Sequence, residues 1–500
     1  MKKQFRILAP IAMLALLLTV SQSAAFGDSW TPTYKNVATG TMMAALGGGL
    51  DNVTVSKRTG RIPNADGTSE YFVCPDGVTP SGPCSAAKGG SFFYSNYVLP
   101  ICESGTQNDC LENFSYGTVA SELKSATFVR SLAGQKYPSV SSNGGLPAAS
   151  TASIWDAPGL PNSAGTTKYA VAVTQAAIYD KEKAKYSSFQ LSASIYPISD
   201  KTGAEFGTPY LEDIKVNGHT TVSGWQFTPG CAATEDNYCA LTENFAPDSR
   251  FSISIRASNE LTGWFKGRIG RPNVSIQKFS ATNNRITMSA EPVQVPRLGA
   301  IVTAENTTER GKDLLKHSNL SGVPELFKGQ TLRNIAPDDA AAIEWVKEFR
   351  NAAKDTAIAT TGHWSFATLG LAKNTNKCFA DRSQVIGVVT TNATALASGA
   401  PEFGRGTLDY KVAGLHYAPD GKSLNEGMYD LILRSDVARC LYGFSNAPIS
   451  AKIAVISDSG EKKVATTVVN EKNGWIKMAA YGFTFSSPTI KVQITQKKRK

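Results

Sequence analysis

The residues best suited to chemistry lie together in Leu261-Thr262-Gly263-Trp264-Phe265-Lys266-Gly267-Arg268-Ile269-Gly270-Arg271. Two adjacent aromatics and three cations stand among three glycines, which keep such a stretch conformationally permissive. A Trp ring stacks on a sugar face or sits at a membrane interface, and the planar Arg fork matches phosphate or carboxylate. In this reading Trp264, Phe265, Lys266, Arg268 and Arg271 form a loop that holds an anionic glycopolymer. The competing reading places Trp264 and Phe265 in a core beside the strand that carries Phe251, with the cations left in water.

Other reaction chemistry finds little support. The four histidines (His219, His317, His363 and His416) lie far apart in the chain. The His-Glu-x-x-His pattern of a zinc hydrolase is absent, as is the Gly-x-Ser-x-Gly elbow of an α/β-type serine hydrolase. A triad assembled from distant positions leaves no local signature, so any of these histidines could serve as its base. Glycosidases need two converging carboxylates, for which Glu112, Glu243 and Glu344 qualify only as carboxylates in general. No phosphate-binding glycine loop and no calcium loop occurs. The sequence therefore assigns no catalytic residue, no cofactor and no metal.

The chain opens with Lys2, Lys3 and Arg6, an apolar run from Ile7 to Val20, and then Ser23-Ala24-Ala25. This is the pattern of an export signal over residues 1–25, with the mature protein starting at Phe26. The apolar run is shorter than a comfortable membrane span, and the mature chain has no transmembrane segment. Export sets the reading of the eight cysteines, since disulfides persist outside the cytosol. Proximity pairs Cys74 with Cys84, Cys102 with Cys110 and Cys231 with Cys239, leaving Cys378 with Cys440. The short loops are worth about 2.5 kcal/mol each and the long one about 4 kcal/mol on the chain-entropy model. Their spacings are not those of structural zinc sites. Cys102-x7-Cys110 and Cys231-x7-Cys239 each run into a Leu, a Glu-Asn pair and a Phe, an echo that reads either as duplication or as coincidence.

The formal charge is +10. Removing the leader's three cations and the four of the 497–500 tail leaves a folded body near +3. A nucleic-acid protein concentrates cations on a folded face, so no nucleic-acid partner is expected. The basic tail is either a solubilising end or a patch for anionic polymers and headgroups. There is no sorting sequence and no lipid-accepting cysteine, so release or non-covalent retention at the cell surface is expected.

Residues 26–150 are rich in Gly, Ser, Pro and Asn and read as a loop-rich, disulfide-stapled region. Residues 151–300 alternate apolar and polar positions at Phe189, Leu191, Ala193 and Ile195, and again at Phe251, Ile253 and Ile255. Residues 301–362 break that period, with one helix at 338–357 whose Ile343, Val346, Phe349 and Ala353 share a face. Residues 363–496 return to strands, with Lys472-Asn473-Gly474 as a hairpin signal. The fold class is mainly β, with two antiparallel β-sandwich regions, immunoglobulin-like or jelly-roll-like, a short helical insert and disulfide reinforcement.

Three phrases carry a resemblance: Gly387-Val388-Val389-Thr390-Thr391-Asn392, the run from Ser435 to Phe444, and Tyr481-Gly482-Phe483-Thr484-Phe485. They resemble segments of uncharacterised exported β-rich actinobacterial proteins, most specifically in the last 140 residues. The resemblance implies an extracellular or bacterial envelope setting and carries no activity. The expected function is binding or adhesion toward envelope polymers or glycans. The alternatives are a secreted hydrolase of polysaccharide or peptide, and a structural envelope component that self-assembles through exposed sheet edges.

Overall fold

The computed structural model describes residues 37–42, 57–63, 69–73, 92–133, 136, 139, 147–180, 185–202, 211–216, 219–226, 232–236, 238–305, 307–317, 331–369, 377–379, 385–445, 449–456, 462–464, 466–485 and 489–496. The leader, the basic tail, Cys74, Cys84 and Cys231 lie outside them. The protein is mainly β, with several antiparallel sheets and, among the described residues, three α-helices.

A large central sheet organises the rest. Its middle strands run in the order Lys168–Asp180, Lys185–Thr202, Ala359–Leu369, Gly263–Arg268, Val385–Thr391, Glu426–Arg434 and Trp475–Thr484. All these neighbours are antiparallel except Gly263–Arg268 with Val385–Thr391. Three of these strands, Gly263–Arg268, Val385–Thr391 and Glu426–Arg434, are covered on both faces. A five-stranded sheet (Gly270–Lys278, Asn283–Glu291, Ser249–Ser258, Cys110–Thr118, Lys124–Ser125) covers one face, so that Phe114, Phe251, Ile253 and Met288 share a core with Val171, Ile195, Phe265 and Val388. A six-stranded sheet containing Thr407–Ala413, Thr489–Gln496 and Ile449–Ile456 covers the other. Its Leu408, Tyr410, Ile453 and Val492 pack on Trp264, Val389, Leu431 and Met478.

Two sandwiches therefore form, but they share their middle layer. Ala359–Leu369 lies between strands drawn from residues 185–268, so pairing runs straight across the boundaries expected at 300 and 363. Residues 26–150 likewise supply strands to both layers, Phe92–Val98 to the central sheet and Cys110–Thr118 to its cover.

Covering both faces explains the composition of the middle strands. A strand buried on both sides reads as a nearly continuous apolar run. Val385–Thr391 is buried at every position, with Val388 and Val389 in opposite cores. Gly387 is required beside Trp264, because a Cβ there would lie 2.5 Å from the indole ring and 2.6 Å from the Ile432 carbonyl.

The insert around 301–362 is smaller and more mixed than its periodicity predicts. Val37–Met42 pairs antiparallel with Gly299–Thr303 and parallel with Thr331–Ile335. The helices Glu309–His317 and Ala342–Phe349 close a separate core around Val302, Leu314, Trp345 and Phe349. The second helix is shorter than 338–357 at both ends. Asp338 and Asp339 form a turn before it, and Lys354 and Asp355 adopt left-handed backbone after it (φ 52° and 53°).

Cys102–Cys110 is joined as spacing predicts, Cys378–Cys440 is joined as the remaining pair, and Cys239 is also disulfide-bonded. The echoed cysteine loops lead into different sheets, yet their aromatics Phe114 and Phe245 converge on Phe251, at 5.9 and 5.5 Å between ring centres. The Asn473-Gly474 turn has both residues at positive φ (53° and 78°), as a two-residue hairpin demands.

Since Trp264 and Phe265 fill opposite cores, replacing either by alanine is expected to lower unfolding free energy by about 3–5 kcal/mol. Chemical denaturation measures this, and losses no larger than those at surface positions would contradict burial on both faces.

Candidate functional site

The segment read either as a polymer-holding loop or as core aromatics beside wet cations is two strands joined at Ile269; the core reading holds for the aromatics, and the other side chains go to different places. Trp264 and Phe265 are buried, on opposite faces of the central sheet. Lys266 pairs with Asp338 of the helical insert. Arg268 is fully buried, against the expectation that the cations stay wet. Its guanidinium donates to the carbonyls of Thr391 (3.1 Å), Ala393 and Thr394 (3.3 Å), clamping the chain as it leaves Val385–Thr391. Burial pushes its pKa down to about 10. These four residues hold layers together and present nothing to a polymer.

Arg271 alone reaches water, with 56% of its side chain exposed. It lies in the edge strand Gly270–Lys278, where the ladder with Asn283–Glu291 is interrupted between Gly270 and Asn273. Arg271 there has φ 43°, a left-handed conformation that costs a non-glycine residue energy and clusters at functional positions. Gly270 allows the close approach beneath it, since a Cβ would meet Met428 Sδ at 3.1 Å. This irregularity turns the Arg271 amide inward, donating to Asp430 Oδ2 at 3.2 Å, and sends its guanidinium outward.

Asp430 anchors the cluster. It belongs to the central strand Glu426–Arg434 and is 1% exposed. The Tyr481 hydroxyl donates to its Oδ1 at 2.6 Å, and Lys477 Nζ stands 3.6 Å away while donating to the Pro272 carbonyl at 3.2 Å. Above it, Arg271 pairs with Glu291 Oε2 at 2.6 Å and lies 4.9 Å from the centre of the Tyr481 ring. Arg250 holds the other Glu291 oxygen, Oε1, at 3.3 Å, and donates to the Arg271 carbonyl at 3.2 Å.

Burial dominates the titration of this cluster. It raises the Asp430 carboxyl above its ordinary range, against the opposing pull of Lys477, Tyr481 and the Arg271 amide. It lowers Lys477 despite the attraction of Asp430, and raises Tyr481, which Asp430 raises further. Arg271 moves the other way, raised chiefly by its hydrogen bond to Glu291. The exposed guanidinium therefore keeps its charge, and both oxygens of each carboxylate are already engaged by neighbouring donors. Such an arrangement orients a cation toward an anion and leaves no carboxylate oxygen aimed at a substrate.

The remaining residues singled out by sequence are not brought together. Glu112 binds Arg256 and Arg285, Glu243 accepts from Ser199 and Ser163, and Glu344 pairs with Arg310 on the helical insert. His219, His317, His363 and His416 fall on four separate elements or connections. Among the described residues no group of three or more metal-ligating side chains is present. Sequence reading missed Asp430, Glu291, Lys477, Tyr481 and Arg250. A single carboxylate inside Met428-Tyr429-Asp430-Leu431-Ile432 was the one signal available, since an acidic residue in an apolar run is rarely buried without partners.

Asp430 also generates a pH dependence. Its folded carboxyl holds the proton more tightly than the unfolded one, so it favours folding below the ordinary value of 3.8 and loses that contribution as pH rises through the raised value. Asp430→Asn is therefore expected to gain stability relative to the parent as pH is taken from acid to neutral. Denaturation midpoints that run parallel across that range would contradict the burial of an ionisable Asp430.

Comparisons with protein-family models, with curated proteins and with solved structures each return no match.

Proposed function

We propose that the protein is an exported binding or adhesion protein that holds an anionic envelope polymer or glycan at Arg271, without cleaving it. The observation that carries this reading is an exposed guanidinium in strained backbone, fixed from below by Glu291, Tyr481 and Arg250. Holding a flexible cation in one geometry before the ligand arrives reduces the ordering cost of binding. The engaged carboxylates speak for binding over hydrolysis, which needs an acid and a base free to reach the scissile bond. The disulfides agree with an extracellular setting. Among the described residues no helix is long and apolar enough to cross a membrane.

Losing one charge-assisted hydrogen-bonding group costs about 1.5–3 kcal/mol, so Arg271→Ala is expected to weaken retention on isolated envelope polymer by about ten- to a hundredfold. Arg271→Lys should recover part of the loss, and added salt should weaken the parent most. Retention by a folded Arg271→Ala protein equal to the parent's would remove the proposal. Release of fragments during the same incubation would favour the hydrolase reading.

A second reading, self-assembly, rests on the strand Thr127–Ser131. Among the described residues its ladder runs with Ser153–Asp156, its other side is met at Ser131 by the Glu235 amide, and it exposes Phe128 and Val129. Exposed apolar edges are templates for pairing with another chain. In this reading Val129→Lys abolishes concentration-dependent association in sedimentation, and a parent that stays monomeric at high concentration contradicts it.

A further inference from the structure

The outer face of the five-stranded sheet continues from Arg271 to a second arginine held by a carboxylate. In its strands, Phe251, Ile253, Ile255, Ile286 and Met288 point into the core, and the alternate positions point away from it. The pairing register sets those outward residues in rows: Ser115, Ser252 and Ser289 in one, and Asn113, Ser254 and Thr287 in the next. Hydroxyl and amide groups fill the middle of the face, with Ser254 Oγ and Thr287 Oγ1 2.9 Å apart.

Each end of this field carries an arginine held by a carboxylate. At one end Arg271 is bound to Glu291 beside Arg250. At the other, Arg285 donates to both oxygens of Glu112 at 2.6 and 2.7 Å, beside Arg256, which binds the same carboxylate at 2.6 Å. Both of these arginines lie over the Phe279 ring, Arg256 at 4.2 Å and Arg285 at 5.2 Å from its centre. Arg285 keeps 38% of its side chain in solvent. Arg285 and Glu291 are six residues apart on one strand, which separates the two ends by about 20 Å. Four arginines, of which Arg256 is buried against the carbonyls of Ser104 and Gln107, stand against two glutamates and leave this face cationic.

We propose that the face is an extended site for one anionic polysaccharide chain, whose negative groups reach Arg271 and Arg285 while its hydroxyls meet the Ser, Thr and Asn rows between them. The inference rests on the binding reading of Arg271 and adds the length and chemistry of the ligand. A small anion needs only one end. A lipid surface needs apolar side chains, which the rows lack. Single-stranded nucleic acid needs rings on which bases stack, and the Phe279 and Tyr481 rings at the two ends already carry guanidinium groups.

Size-graded galacturonate oligomers, titrated into the full-length protein by calorimetry, test this. Affinity is expected to climb once an oligomer exceeds the span between the arginines, because the second contact then becomes intramolecular. Arg285→Ala should remove about tenfold or more of that gain for long oligomers and leave short ones unaffected. Ser252→Glu, which places a negative charge mid-face and leaves both arginines intact, should do the same in a protein shown to be folded by circular dichroism. If Arg271→Ala weakens long-chain binding while Arg285→Ala and Ser252→Glu do not, the extended face is wrong and the Arg271 site stands. If none of the three has an effect, both fall. If oligothymidylate binds as tightly through the same residues, the assignment to polysaccharide is overturned.

Discussion

Burial of the strands Gly263–Arg268, Val385–Thr391 and Glu426–Arg434 on both faces is the constraint on which the rest depends. A sheet with one wet face alternates apolar and polar side chains, whereas here successive residues must each find a core. Trp264 enters one core and Phe265 the other, and Val388 and Val389 divide in the same way. A polar group placed there must bring its own partners. Arg268 does so by spending its donors on three carbonyls, because an unpaired guanidinium would carry a desolvation cost that no contact in an apolar layer offsets.

The same constraint locates the edge that carries Arg271. The five-stranded cover ends at Gly270–Lys278, above the strands Glu426–Arg434 and Trp475–Thr484. Where the cover ends, the central sheet exchanges apolar side chains for Asp430, Lys477 and Tyr481, and the edge strand bends through Arg271 to meet them. Only at such a margin can a buried carboxylate, a strained backbone and a solvent-facing guanidinium lie within a few ångströms of one another. Loss of cover and gain of polar chemistry are two sides of one geometric fact. The Arg285–Glu112 pair repeats the exposed half of this arrangement on the outer face of the five-stranded sheet.

Local periodicity made much of the fold legible. The alternation through Phe251, Ile253 and Ile255 placed a one-sided strand, Asn473-Gly474 placed a hairpin, and cysteine proximity placed Cys102–Cys110 and left Cys378 to Cys440. The order of strands in the central sheet was not legible, because pairing between residues a hundred positions apart leaves no local trace. Gly263–Arg268 misled for a physical reason. A strand buried on both faces has no period-two signal, and its glycines read as loop residues. Gly267 is instead a packing glycine, since a Cβ there would lie 3.0 Å from Thr390 and from Ile269. Of the site, Arg271 was visible as a cation, but its left-handed backbone was not. Asp430 was visible only as a misfit in an apolar run.

The shared middle layer makes the two sandwiches a single cooperative unit, and native-state amide hydrogen exchange tests that most directly. Amides of Gly263–Arg268 and Val385–Thr391 should exchange only through global opening, with the same opening free energy as the Ser249–Ser258 cover strand on one side and the Thr489–Gln496 cover strand on the other. Two distinct opening energies, one for each cover and its facing half of the core, would contradict the account.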